Sequence, residues 1–427
     1  MTTTMTTTMT MMIVAIATAG IAGTRTVGAG AAKWRSYSIL ALLLLLPSRA
    51  LAQGSAAAQP AVQDILRFLV TNQGVQTSAF DKDREAADAT RDTLTRALLS
   101  SVATLPVSTS SSGFTYRLNP ALGTVERASE TFGPSFVERA LTAGEGQASL
   151  GFTLQYASFG ALDGNDLRTG ELMTTANRFS DEAAPFDVET LTLGITTKTA
   201  TFFGNVGVSD RVDLGVAVPV VSLSVNGSRL NTYRGQTLLQ ARASANTVGL
   251  ADIAVRSKVR LTNEGPGGVS AGVEARLPTG REEDLLGAGQ MAMRFMGLAS
   301  AEAGPTSIHG NFTLGFGGIG REVSYGGAVA VAASPRMTVI GEVLARRITG
   351  IQRITPIAAP HPRLRGVETT RLMPVGEDQT SAFTVAGVKW NVSGTWLLHA
   401  NVLMPLSDSG LTATFTPTIA MDYSFAR

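Results

Sequence analysis

The residues with the most chemical capacity are few. Three histidines, at positions 309, 361 and 399, stand far apart, and no cysteine accompanies them. Their spacing matches no zinc-ligand pattern, and thiolate chemistry is excluded outright. No Gly-x-Ser-x-Gly elbow occurs between a strand and a helix. A serine–histidine pair on the outer wall of a barrel would be the remaining enzymatic arrangement. His309 and His399 each share a strand face with polar residues, which favours a polar histidine pointing into an interior. The chain therefore reads as non-enzymatic, with no metal and no cofactor. A second group is richer. Arg256, Lys258 and Arg260 recur at every second position, and Glu274 and Arg276 follow with the same period. Two roles suit that stripe: an electropositive constriction that attracts anionic solutes, or an ion-pair network that fills a narrow interior. The run Gly280-Arg281-Glu282-Glu283-Asp284 offers adjacent carboxylates, either as a cation site or as a solvated loop tip.

These groups need strands to position them. Val255 and Val259 alternate with Arg256, Lys258 and Arg260, and Val269, Ala271, Val273, Ala275 and Leu277 alternate with Ser270, Glu274 and Arg276. Ile308, Gly310, Phe312, Leu314 and Phe316 alternate with His309, Asn311 and Thr313. Such alternation, at 44% apolar and only 16% charged residues, suits strands with one face in lipid and one in a lumen. An Arg or Lys at mid-membrane costs about 2–4 kcal/mol, so Arg256, Lys258, Arg260, Glu274, Arg276 and His309 are expected to line the lumen. A net charge of +2 argues against nucleic acid as a partner.

Roughly twelve strands are expected between residues 146 and 427, an even number as bacterial barrels require. They lie near 146–160, 187–208, 211–226, 248–261, 268–278, 289–302, 306–317, 322–333, 336–348, 380–392, 395–405 and 411–425. Short turns at 209–211, 263–267, 304–305, 334–336 and 393–394 alternate with generally longer connections at 161–186, 227–247, 279–288, 318–321, 349–379 and 406–410. Short turns on one side and long loops on the other set the periplasm below and the exterior above. Leu411, Ala413, Phe415, Pro417, Ile419, Met421, Tyr423 and Phe425 are expected on one face of the last strand, ending on an aromatic that the barrel-insertion machinery would read. Trp390 and Trp396 flank the turn at 393–394, where an interfacial aromatic girdle belongs. The fold class is thus all-β, an antiparallel transmembrane barrel in the bacterial outer membrane. Its partners are outer-membrane lipid and lipopolysaccharide, and a small solute of unknown identity.

The amino-terminal part reads differently. Lys33, Trp34 and Arg35, the apolar Ile39 to Leu46, and Ala50-Leu51-Ala52 form a secretory signal peptide in residues 1–52. The threonine-rich stretch before it reads as an extension upstream of the true start. Two amphipathic helices, about 60–75 and 84–105, occupy the segment 53–112, and a hairpin and lead-in occupy 113–145. The charged lumen leaves little room for helices, so a periplasmic position is expected, with at most 113–128 entering the barrel mouth.

Three segments carry a likeness. Gly207-Val208-Ser209-Asp210-Arg211-Val212-Asp213-Leu214-Gly215 through Pro219, Ala251-Asp252-Ile253 through Leu261, and Arg276-Leu277-Pro278-Thr279-Gly280 through Gly289 resemble the outer-membrane transporter family named for the meta pathway of phenol degradation. The resemblance covers residues 146–427 and implies a barrel that passes small, often aromatic, compounds. Passage of small solutes, aromatic or anionic, is the expected function. The alternative is a structural or adhesive barrel acting through its outer loops.

Overall fold

The computed structural model describes residues 60–70, 80–102, 116–119, 124–127, 129–170, 172–262, 267–361, 363–376 and 378–425. The signal-peptide reading of 1–52 and the segment 103–115 lie outside the described residues.

Period-two sequence becomes a closed antiparallel barrel of twelve membrane-crossing strands. Two short strands, β1 (Tyr116–Asn119) and β2 (Thr124–Arg127), precede it as a separate hairpin. The crossings begin with β3 (Ala148–Leu162), β6 (Asp187–Ser209) and β7 (Val212–Tyr233). One interrupted crossing, β8 (Gln236–Leu250) with β9 (Ile253–Arg260), follows. Then come β10 (Gly268–Leu277), β11 (Ala292–Ala303), β12 (Thr306–Gly317), β13 (Arg321–Ser334) and β14 (Met337–Thr349). The last are β17 (Asp378–Ser393), β18 (Trp396–Pro405) and the pair β19 (Leu411–Ala413) with β20 (Thr416–Phe425). The seam closes where β20 pairs with β3, Phe425 opposite Ala148 and Thr418 opposite Gln155. Closure leaves no unpaired edge, the condition for strands to cross lipid.

The inward and outward faces follow the expected parity. Val255, Phe312 and Ile419 are exposed on the outer wall, while Lys258, Glu274 and His309 are buried inside. Trp390 and Trp396 stand on the outer surface beside their turn, and Trp396 packs on Tyr423 with ring centroids 4.8 Å apart. The last strand departs from a single face. Leu411 and Ala413 are buried inward, whereas Ile419 and Phe425 point outward. Between β19 and β20, Phe415 is exposed and Thr416, Thr418 and Ala420 are buried, so the inward parity changes from odd to even.

Three expected connections are strand rather than loop. Residues 227–247 continue β7 and β8 to a tight turn, with Tyr233 opposite Gln236 and Arg234 at φ 46°. Within 161–186 and 349–379 lie β4 (Asn165–Asp166), β5 (Leu172–Phe179), β15 (Arg353–Pro360) and β16 (Val367–Val375). β16 pairs with both β15 and β5. The wall therefore continues well beyond the membrane, since a crossing needs only about 10 residues.

That extension houses the helices. α1 (Val62–Val70) and α2 (Phe80–Val102) bury Val62, Leu66, Leu69, Leu94 and Leu98 against Leu191, Leu193, Ile195, Val221, Leu223 and Val225. The Gln63 backbone N–H donates to the Glu283 carbonyl at 3.1 Å, and the Arg96 guanidinium donates to the Gly350 carbonyl at 3.0 Å. Ser101 donates to the Leu411 carbonyl at 3.4 Å. All these contacts lie at the long-loop end, so the expected position at the short-turn end is corrected. α2 reaches down to the charged wall, its Ser100 carbonyl accepting from the Arg346 guanidinium at 3.1 Å. The prolonged wall above it is lined by apolar side chains, and burying each Leu, Ile or Val there stabilises by about 1.5–3 kcal/mol.

Candidate functional site: the barrel lumen

The lumen is occupied by the chain's own lead-in, residues 129–145. This segment enters at the short-turn end, rises to mid-lumen and returns. At its entry the Thr131 hydroxyl lies 2.8 Å from that of Ser307, and the Phe132 N–H donates to Thr338 at 3.2 Å. Gly133 turns the chain at φ 69°, and a Cβ there would sit 3.2 Å from the Arg139 side chain folded over it. At the top, the N–H groups of Ser135, Phe136 and Val137 donate to the Glu342 carboxylate at 2.5, 3.0 and 2.7 Å. On the way down, Ala140 donates to Ser300 at 2.8 Å and accepts from Ser270 at 2.6 Å. The Thr142 hydroxyl donates to the Asp210 carbonyl at 2.6 Å, back at a short turn.

Inward-facing charges serve this backbone. Lys389 donates to the Pro134 carbonyl at 2.7 Å. Lys258 donates to the Leu141 carbonyl at 2.8 Å and to Glu138 at 3.1 Å, and also approaches Asp213 at 3.4 Å. The Asn311 amide, oriented to satisfy both its ends, donates to the Glu138 carbonyl at 2.7 Å and accepts its N–H at 2.5 Å. The segment's backbone is thus hydrogen-bonded by the wall, as a buried backbone requires, and its own Thr131, Glu138 and Thr142 side chains add to that pairing.

The sequence-expected lumen residues divide into two groups, with Arg260 apart from both. Lys258 and His309 contact the segment or its holders. His309 bridges Ser300, at 2.8 Å from Nδ1, and Ser307, at 2.9 Å from Nε2. Arg256, Glu274 and Arg276 instead form a wall network: Glu274 pairs with Arg256, with Arg276 at 2.8 Å and with Arg294 at 3.3 Å. Arg294 reaches on to Glu322 at 2.6 Å. Arg260 lies at the short-turn end and donates to the Gly267 carbonyl at 2.8 Å. His399 is also inward, 2.7 Å from Asp422, while His361 accepts N–H groups in a long-loop turn. In the acidic loop, Asp284 pairs with Arg281 at 2.7 Å, and Glu282 and Glu283 offer their carbonyls to Gln63. Among the described residues no group of His, Asp and Glu is arranged to hold a metal.

Sequence reading missed Arg294, Glu322, Glu342, Arg346 and Lys389. Counting parity along β11, β13, β14 and β17 would have found all five, because each sits on the even or odd set that faces inward. Between the network and the lead-in lies a cavity of about 140 Å³. Its charged lining is Arg256, Arg276, Arg294 and Arg346 with Glu138, Glu274 and Glu322; Phe136, Leu344 and Phe383 supply an apolar side.

A closed antiparallel barrel with an apolar outer wall, aromatic residues at its rim and buried charge within is a β-barrel of the bacterial outer membrane. No family model matches the chain, and no curated protein matches it. Among solved structures it is similar to an outer membrane channel from Pseudomonas putida F1, at 11% identity and a TM-score of 0.42, over 67% of this chain and 98% of that one. The CymD monoaromatic hydrocarbon channel aligns over 66% of this chain and 90% of its own, at 10% identity and a TM-score of 0.25. The toluene transporter TbuX of Ralstonia pickettii aligns over 66% and 90%, at 9% and 0.26. The fold assignment rests on the strand pairing of the chain itself.

Proposed function

We propose that the chain is an outer-membrane passage for small solutes, closed in this conformation by its own lead-in segment. The long-loop end, with the helices in its mouth, faces the exterior, and the lead-in faces the periplasm. The observation that carries the reading is the nature of the obstruction. One backbone segment fills the lumen, held mainly by Glu342, Lys389 and Lys258, and a cavity with both charged and apolar walls lies beside it. A lumen filled by interlocking side chains would leave neither a removable part nor a cavity. His309 and His399 take structural roles in this reading, and no catalytic step is assigned to them.

The filled lumen also favours a second reading, a structural or adhesive barrel that works through 161–186, 227–247 and 349–379. Uptake into proteoliposomes separates the two. The passage reading expects entry of small organic solutes, rising when Glu342→Ala loosens the segment. No uptake by either protein, with both barrels folded on a heat-modifiability gel, would leave the adhesive reading.

A further inference from the structure

We infer that the outer wall carries, at the upper limit of its lipid band, two cationic sites for the phosphate groups of lipopolysaccharide: Lys198 with Arg168, and Arg347 with Arg321. The inference rests on the passage reading for sidedness only, the long-loop end being outside. Height supplies the first argument. On β6 the outward positions above the short turn at 209–211 are Val208, Val206, Gly204, Phe202 and Ala200, and the next is the exposed Lys198. On β14 those above the turn at 334–336 are Met337, Val339, Gly341, Val343 and Ala345, and the next is Arg347, its side chain 63% exposed. Five uncharged positions thus separate each cation from its short turn. That is one crossing of about 9–11 residues, so both cations stand where the head groups of the outer leaflet lie.

Grouping supplies the second argument. Tyr156 is opposite Lys198 across the β3–β6 ladder, and Ser158 is the next outward position on β3. The exposed Arg168 guanidinium donates to the Ser158 hydroxyl at 2.7 Å and to the Phe159 carbonyl at 3.3 Å, which anchors it beside Lys198. On the β13–β14 ladder Val323 is opposite Arg347, and the exposed Arg321 is opposite Thr349. The two guanidiniums therefore spring from diagonal positions, about 7–8 Å apart. Tyr325, also exposed, is the outward position below Val323. Each site repeats one pattern: two cations and a tyrosine at the edge of the lipid band, where aromatic anchors belong.

The nearby carboxylates leave these cations open to a ligand. Asp166 accepts the backbone N–H groups of Arg168 and Thr169 at 2.6 and 2.9 Å within its own turn. Asp378 accepts from the Arg347 Nε at 2.7 Å and from Nη2, which fixes the guanidinium plane and leaves Nη1 for another acceptor. It stands on the β17 side of β14, away from Arg321. A lipid phosphate fits both halves of such a surface. Its oxygens accept charge-assisted hydrogen bonds from guanidinium and ammonium groups. Its acyl chains lie along the apolar positions below, Ala200 and Phe202 at one site and Ala345 and Val343 at the other. A phosphate monoester carries close to two charges, so paired cations favour it over the single charge of a glycerophospholipid diester.

The test is native mass spectrometry of the purified full-length barrel in detergent, titrated with bisphosphorylated lipid A, the phosphate-bearing anchor of lipopolysaccharide. Two saturable copies are expected. Phosphatidylglycerol and inorganic phosphate should each compete at least tenfold more weakly. Lys198→Gln combined with Arg168→Gln should abolish one copy, and Arg321→Gln combined with Arg347→Gln the other. Arg336→Gln removes an exposed cation at the opposite rim and should leave both copies in place. All variants are first checked for folding by heat modifiability. Two copies retained by either folded double variant would overturn the inference. So would equal competition by phosphatidylglycerol, which reduces the sites to a general attraction for anionic lipid, or by inorganic phosphate, which reduces them to ion sites. Loss of lipid A with Arg336→Gln would overturn it together with the sidedness on which it rests. Uptake into proteoliposomes is measured independently, so a failure of these sites leaves solute passage standing, and lipid A binding without uptake of any solute leaves the sites standing.

Discussion

Glu342→Ala is the perturbation that reports most directly on how the lumen is closed. The carboxylate accepts three backbone N–H groups, from Ser135, Phe136 and Val137, at 2.5 to 3.0 Å. Hydrogen bonds to a charged group contribute about 1.5–3 kcal/mol each, so the gross loss is roughly 4–9 kcal/mol. Two effects reduce it. Burying the carboxylate is itself costly, and freed N–H groups regain water once the segment leaves the wall. A net loss of about 3 kcal/mol is expected, which changes the ratio of seated to displaced lead-in by roughly 150-fold. Glu342→Gln keeps the shape but offers a single neutral acceptor, and should fall between. The barrel itself should remain folded, because strand pairing from Ala148 onward does not use this contact. Single-channel recording in planar bilayers, paired with limited proteolysis across residues 129–145, reads both sides of the equilibrium. Open events should become frequent in the variant, and cleavage should appear in that segment. Unchanged conductance together with unchanged protection would refute the reasoning and make the lead-in a permanent filling.

Further outcomes follow from faces and ends. Val255→Cys and Phe312→Cys should react with lipid-phase thiol probes, and Lys258→Cys with aqueous reagents only when combined with Glu342→Ala; aqueous labelling of Val255→Cys instead would mean a register one residue off. Leu66→Asp places a charge at a fully buried helix position and should free α1 at a cost of about 3 kcal/mol or more, seen as new cleavage near residue 70 by protease added to intact cells. The same experiment tests sidedness, since cleavage only after the periplasm is opened would invert the barrel. Phe425→Ala, or loss of Tyr423 to Arg427, should reduce assembled barrel sharply on a heat-modifiability gel, while loss of Ala426 and Arg427 alone should change little.

Much of the barrel was legible because lipid imposes a strict rule. Alternation over β9, β10 and β12 fixed which side of the wall each charge must face, and Arg256, Lys258, Arg260, Glu274, Arg276 and His309 all point inward. What occupies the lumen was not legible. Residues 129–145 carry no periodicity, and most of their contacts with the wall are made by backbone N–H and C=O groups, which every sequence possesses. The helices were recognisable from their apolar stripes, yet their position was not. It depends on Leu191, Leu193 and Ile195 facing inward above the membrane, where the same alternation serves a protein core instead of lipid. Parity cannot tell these two uses apart. The flip between Ala413 and Thr416 escaped for a related reason: an irregularity leaves no mark in an apolar pattern that continues on both sides of it.

The seam between β20 and β3 has a consequence for the order of biogenesis. Its partners come from opposite ends of the described barrel sequence, Ala148 against Phe425. Until they meet, the sheet is an open ribbon with two free edges. The lead-in touches β7, β9, β10, β11, β12, β14 and β17, strands distributed around the ribbon. Once the ribbon has become a ring, a polar backbone segment must enter through the narrow lower opening and exchange water for each wall contact in a confined space. Seated earlier, it acts as a mandrel: strands gather around it and the last join seals it in. A nascent chain that lost its grip on the mandrel would still form a ring, but later and around water, so folding rate and pore closure would be set by the same few residues.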